Sequence, residues 1–386
     1  MIFNDANNKI KKIVFIIIIV LILIVGIVVF SLYISKDEFR NWMDNEILKK
    51  EISTKDVPTI DLNTDKNNQV FCYGNIICIL KDKILSLYNS SGTKETEMQI
   101  DINTAIYNSN DKYLIIAEKN GQNFCVILDK TYLWNGKIEG EILKTYINRN
   151  GYVAIVSTDS TFKSVITLFS PEGKQILKNY LSSTRIIDLA ISNDNNYLAF
   201  AELDSSGALI KSNVKIMKIE KANISQEEAI VRLYEAPISK MITMVKYNDK
   251  NDLICMFDDS VIKLNLDNEN ELMSINNNIT FVSANLNNHI AFISEENTGL
   301  FNYNSILTIE NTSNRLQNTY HFNEVVKEMY TYENIIGVNV GTEIYFINSN
   351  GMLIKKYISK QEITKVLLSN RLGLIIYKDR IEIIDL

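Results

Sequence analysis

Residues 73–98 read YGNIICILKDKILSLYNSSGTKETEM, and residues 332–357 read YENIIGVNVGTEIYFINSNGMLIKKY. The two stretches align without a gap. Each opens on a Tyr, makes a polar turn, enters an apolar strand, turns again and runs a second strand. Each then passes through Asn-Ser-(Ser/Asn)-Gly into a third, more polar strand. Self-similarity of this kind at a distance is the signature of a repeat architecture.

The opening turn-then-apolar signature recurs between and beyond them. It reads NSNDKYLIIAE at 108–118, NRNGYVAIVST at 148–158 and SNDNNYLAFAE at 192–202. It continues as NDKNDLICMF at 248–257, LNNHIAFIS at 286–294 and SNRLGLIIY at 369–377. With the first two stretches that makes eight occurrences, spaced by about 40 residues, the length of one four-stranded propeller blade. No long amphipathic helix pattern interrupts them, so the class is all-β and the expected fold is a β-propeller of about eight four-stranded blades. Seven stays open as a count if one weak unit is not a true blade.

Blades are expected to begin near residues 69, 99, 142, 183, 238, 277, 322 and 361. The last has only three strands before the chain stops. The segment PTIDL at 58–62 precedes the first blade without a place of its own and is expected to supply the missing outer strand. Closing the ring in this way protects sheet edges that would otherwise invite pairing.

The chain ahead of the ring has a different character. Residues 13–34, IVFIIIIVLILIVGIVVFSLYI, carry no charge and at about 1.5 Å per residue reach about 33 Å, enough for a bilayer core. The run is longer than a secretory h-region, and no small-x-small site follows it, so it reads as an uncleaved anchor. Lys9, Lys11 and Lys12 crowd its N-terminal flank, whereas Lys36 and Arg40 on the other side are interspersed with Asp37 and Glu38. This places residues 1–12 in the cytoplasm, 13–34 across the cell membrane and the ring, 57–386, outside the cytoplasm. Residues 35–56 read as a stalk helix continuing from the membrane, with Phe39, Trp42, Met43, Glu46, Ile47 and Lys50 at helical spacing; a helix–helix dimer seam is the sharper alternative.

SNDNNYLAF at 192–200 resembles the Ser-Pro-Asp-Gly-x-x-Leu-Ala-Phe turn of WD40/TolB-like repeats, with Asn193 in place of Pro and Asn195 in place of Gly. The longer stretches 150–177 and 189–217 resemble a family of bacterial single-pass membrane-anchored propellers known as a domain of unknown function. That resemblance implies the same topology and fold. It transfers no catalytic residue.

Composition narrows function by exclusion. Net charge is −6, and the first twelve residues carry +2, so the remainder holds −8. Nucleic acid needs a field of the opposite sign. Four cysteines, Cys72, Cys78, Cys125 and Cys255, form no CxxC pair, and His289 and His321 lie near none of them, so neither a metal nor a cofactor is expected. Cys72 and Cys78 sit in strongly apolar runs where a small buried thiol is the ordinary reading, and a disulfide between them across a hairpin is the alternative. There is no GxSxG elbow and no HExxH helix, and both histidines read as structural. Asp61, Asn63 and Asp65 echo a calcium loop but lack its Gly and closing Glu.

The expectation is therefore a non-enzymatic binding or scaffold protein for a protein or cell-envelope partner. An envelope enzyme acting on glycan or peptide through carboxylates such as Asp258 and Asp259, or a sensor subunit of a membrane complex, are the alternatives. Binding is expected at the long second-to-third strand loops, 158–163, 202–212 and 294–304, which share one face. Phe162, Asp204, Leu209, Phe301 and Tyr303 are the residues placed there. Aromatic and apolar tips on polar loops are usual interface anchors, unless they fold back on the rim.

Overall fold

The computed structural model describes residues 2–53, 57–62, 68–222, 225–238, 240–297, 303–361, 363–369 and 371–386. It separates into two compact units, Met1–Ile52 and Ser53–Leu386.

The second unit is an eight-bladed β-propeller. Eight antiparallel sheets follow one another along the chain, seven of four strands and one of five. The innermost strands are Gln69–Tyr73, Ala105–Asn110, Glu141–Ile147, Thr184–Ile191, Ile242–Tyr247, Ile279–Ser283, Glu328–Tyr332 and Lys365–Leu368. These starts track the expected blade boundaries, and the largest offsets arise where a blade-to-blade connection precedes the inner strand.

The second strand of each blade explains the sequence signature. Each lies between two neighbouring blades and is covered on both faces, so it reads as an unbroken apolar run instead of an alternating one. Consecutive side chains go to opposite interfaces. Leu114 and Ile116 pack toward the first blade, while Ile115 and Ala117 pack toward the third. Val153 and Ile155 then face the second blade, and Ala154 and Val156 the fourth. The core is thus a circle of wedge-shaped interfaces. Outer strands carry the polar residues, as in Lys94–Gln99, where exposure alternates with partial burial.

The alternation settles the cysteines. Phe71 stands opposite Cys78 and Cys72 opposite Ile77, so the two thiols leave the sheet on opposite faces. Cys72 joins the interface with the last blade and Cys78 that with the second. Both are free and buried. Burial pushes the Cys72 thiol up to about 12.

Thr59–Asp61 is the outer strand of the last sheet, antiparallel to Arg380–Asp385, with Ile60 opposite Ile381. The Ile383 amide donates to the Pro58 carbonyl at 3.0 Å and the Leu62 amide to the Asp379 carbonyl at 2.7 Å. Beside this join, buried Glu382 accepts from the Tyr357 hydroxyl and from Arg380 Nε at 2.8 Å, and the Tyr357 and Tyr377 hydroxyls lie 2.7 Å apart.

In the first unit, one helix runs Ile2–Ser35 and contains the apolar span Val14–Ser35 with mean hydropathy 3.6. It does not continue into a stalk helix. Lys36 is extended, with φ −127° and ψ 105°, and a separate short helix, Asp37–Trp42, passes into a π-helical turn, Met43–Ile47.

Candidate binding face

Because strands within a blade are antiparallel, the second-to-third strand loops and the blade-to-blade connections emerge at one end of the ring. The first-to-second and third-to-fourth loops emerge at the other.

At the first end, the third blade contributes the loop after Val153–Thr158. Asp159 Oδ1 accepts from the amides of Thr161 at 2.7 Å and Phe162 at 2.8 Å, which holds its carboxyl below the ordinary range. Phe162 is not a free tip. Its ring lies 4.7 Å from that of Tyr180 on the outer strand, and it is half-buried there. Tyr180 itself is 43% exposed.

The fourth blade contributes the long hairpin between Tyr197–Asp204 and Lys211–Lys218. Asp204 builds this turn: Oδ1 accepts from the Ser206 hydroxyl at 2.6 Å and the Ser206 amide at 2.9 Å, and these bonds lower its pKa. Leu209, 57% exposed, and its exposed neighbour Ile210 stand at the tip.

Two further apolar residues come from the connection between the fourth and fifth blades, Ile238, 61% exposed, and Met241. That connection is sewn to the fourth-blade hairpin. The Ala236 amide donates to the Ser212 carbonyl at 3.0 Å, and the Ile242 amide to Ser212 Oγ at 3.2 Å. On the other side, Lys163 Nζ donates to the Ser183 carbonyl at 3.0 Å, and Thr184 pairs with Asp204. Phe162 thus lies on the third blade and Asp204 and Leu209 on the fourth, at the same end of the ring. Phe301 lies outside the described residues. Tyr303 opens the strand Tyr303–Asn311 opposite Asn297 in the sixth blade, and its side chain lies outside the described residues. Ile210, Ile238, Met241 and Tyr180 were not anticipated. Ile238 and Met241 sit in EAPISKMI, a connection whose only signal was an apolar pair in a Pro-containing loop.

The carboxylates considered for glycan chemistry have other partners. Asp258 accepts from the Met241 amide at 2.9 Å, and Asp259 pairs with Lys240 at 3.1 Å and accepts from Ser260 at 2.7 Å. His289 Nε2 lies 3.3 Å from Asn311 Nδ2 across one hairpin, and desolvation lowers its pKa. Among the described residues, no group of three or more His, Cys, Asp or Glu side chains could hold a metal ion.

The opposite end of the ring is a polar belt. Asn148 Oδ1 closes its own turn by accepting from the amides of Asn150 and Tyr152, while its Nδ2 reaches Asn195 of the next blade at 2.6 Å. Asn193 donates in turn to the Asn248 carbonyl at 2.7 Å, and Asn288 to Asp249 at 2.8 Å. Arg149 pairs with Asp249 at 2.9 Å, joining the third blade to the fifth over the turn of the fourth. Below them Lys246 donates to the Asn285 carbonyl at 3.0 Å; desolvation lowers its pKa to about 8 against the opposing pull of Glu333 and Asp249. This belt ties turns to turns.

Residues 48–386 match the model described as "Family of unknown function (DUF5711)". The chain belongs to DUF5711. No curated protein sequence matches it. The DUF5711 ring shares its fold with BamB from Moraxella catarrhalis, at TM-score 0.51 and 10% identity over 86% of this chain and 99% of BamB. It shares it also with Chaetomium thermophilum Sqt1, solved bound to the N-terminus of the ribosomal protein L10, at TM-score 0.52 and 11% identity over 87% of this chain and all of Sqt1. At these identities the likeness concerns the fold alone.

Proposed function

We propose that this DUF5711 protein is a membrane-anchored binding module that holds a protein or cell-envelope partner against the loop face of blades three to five, outside the cytoplasm. The observation that carries the reading is the group of exposed apolar side chains, Leu209, Ile210, Ile238 and Met241, on two loops of one end whose bases are joined through Ser212. Large apolar residues held out on a braced surface are what an interface core requires. Sqt1, a propeller of the same fold, was solved with a bound protein segment. Asp204, Asp258 and Asp259 at this end are engaged in building their own loops, which suits a binding surface. The basic cluster ahead of the span supports the placement of the ring outside the cytoplasm.

The test uses a photo-crosslinking residue at Leu209 or Ile238 in intact cells, with Leu316 on the opposite end, itself 66% exposed, as the control. A discrete adduct from the first two positions, lost on Met241→Asp and absent from Leu316, is the expected result. Equal crosslinking from both ends, or adducts unmoved by Met241→Asp, would show that the partner sits elsewhere. Added protease should cut the ring in intact cells; a protected ring would overturn the outside placement.

A further inference from the structure

The segment that follows the span carries a surface that the ring's function does not use. The helix Ile2–Ser35 is followed by one extended residue, Lys36, and then by the short helix Asp37–Trp42. Tyr33 lies in the last turn of the apolar span, and its hydroxyl donates to Asp44 Oδ1 at 2.7 Å. Lys50 Nζ pairs with the same oxygen at 2.7 Å and donates to the Tyr33 hydroxyl at 2.8 Å. Asp44 is 1% exposed, so three groups from three points of the chain close over one another. Residues between Tyr33 and Lys50 are therefore held at the level of the span's final turn.

Within that loop three large apolar side chains face outward, while Phe39 and Met43 are half-buried. Trp42, Ile47 and Leu48 are each half or more exposed, and Phe39 stacks against Trp42 with ring centroids 5.7 Å apart. A Trp beside aliphatic residues on a short helix at the end of a membrane span is the arrangement that favours the boundary between headgroups and acyl chains.

We propose that residues 37–48 form a second membrane contact, an interfacial element in which Trp42, Ile47 and Leu48 lie among the lipid headgroups and the Tyr33–Asp44–Lys50 cluster holds them there. The occupant of this apolar surface is the lipid surface itself, because the span ending at Ser35 leaves only Lys36 before the next helix begins. The inference rests on reading Val14–Ser35 as a span. It replaces a rigid spacer with a segment folded down at the bilayer.

The chain has two tryptophans, which makes the test direct. Trp134 is packed against Phe124 and Phe169 inside the ring. The difference in fluorescence between the full chain and Trp42→Phe, both reconstituted in phosphatidylcholine–phosphatidylglycerol vesicles, reports Trp42 alone. Nitroxide placed near the headgroup should quench that signal about twofold or more, and aqueous iodide should leave it nearly unchanged, as for an interfacial Trp. Asp44→Ala should open it to iodide. Quenching by iodide in the unmodified chain would overturn the proposal, since the surface would then face water. Protection from both quenchers would also overturn it, since the cover would then be protein, such as a second copy. An Ile24→Trp variant with deep nitroxide separates the two readings: if it is not quenched, the span has failed, and if it is quenched while Trp42 is not, only the interfacial contact has failed.

Discussion

The inner strand of the fourth blade carries a bulge between Ile186 and Asp188, and the bulge turns Asp188 toward the neighbouring blade. There its Oδ2 accepts from the Val245 amide at 2.9 Å, while Lys144 of the third blade lies 3.9 Å from Oδ1. One carboxylate thus pins three blades. It is 7% exposed, and desolvation outweighs the Val245 bond and the Lys144 charge, raising its pKa to about 6. In the unfolded chain the carboxyl returns to about 3.9. The folded state therefore binds the extra proton between the two values. Stability from this group is fully present below the unfolded value and is lost as pH rises through about 6. A shift of about 2 units corresponds to about 3 kcal/mol.

Asp188→Asn keeps an oxygen for the Val245 amide and removes the titration. Relative to wild type, the Asn variant should gain about 3 kcal/mol between pH 3.5 and 7.5, whatever fixed offset the amide introduces. Urea unfolding of both proteins in a Trp42→Phe background in neutral detergent, followed by Trp134 fluorescence, measures this as the pH dependence of the difference between the two proteins. A difference flat across that range, or one favouring wild type increasingly as pH rises, would show that Asp188 is not desolvated or that Lys144 dominates its environment.

Two further outcomes follow from the ring's closure and its interfaces. Ile60 is 6% exposed among Cys72, Ile77, Ile381 and Ile383, so Ile60→Ala should cost about 2–5 kcal/mol and Ile60→Val about 0.5–1.5 kcal/mol, read from the same urea titrations. Equal and negligible losses would mean that the closing strand does not hold the last blade. Cys72 and Cys78, buried on opposite faces of one sheet, should take two maleimide groups after denaturation, and none in the native state, even in protein purified without reductant; intact mass then reads four labelled thiols per chain in total.

Much of the ring was legible because each blade repeats one physical solution. A strand covered on both faces must be apolar throughout, as at Leu114–Ala117, and its ends must turn, so eight runs bounded by Asn, Asp, Gly and Ser mark eight blades. PTIDL was noticeable as a leftover strand with no blade of its own, and its pairing with Arg380–Asp385 follows from the ring's need for an outer strand there. The candidate face was only half legible. Loop length pointed to Leu209, but nothing local distinguishes Phe162, which folds onto Tyr180, from Leu209, which does not. That difference depends on whether a neighbouring strand offers a ring at the right height.

The asparagines show the same division. As turn formers they could be read one by one, since Asn148 closes its turn with contacts two and four residues on. Their second role, linking Asn148 to Asn195 and Asn193 to Asn248, joins positions about 50 residues apart, and no periodicity in the chain encodes it. The segment after the span divides likewise. Hydropathy marks Val14–Ser35 by itself as long and apolar enough to cross a bilayer, because length and apolarity are read residue by residue. The fold-back of residues 37–50 rests instead on Asp44 meeting Tyr33 and Lys50, a three-point contact that a helical-spacing rule reads as one continuous stalk. Local pattern thus marked the ring's strands, a count of about eight blades and the apolar helix, where each residue answers to its own surroundings, but it missed the strand Glu51–Ser53, which adds a fifth strand to one sheet inside the segment read as a stalk helix. Tertiary structure alone decided which side chains are left outward and which carboxylates share a proton's energy, because those depend on what the neighbouring blade brings within reach.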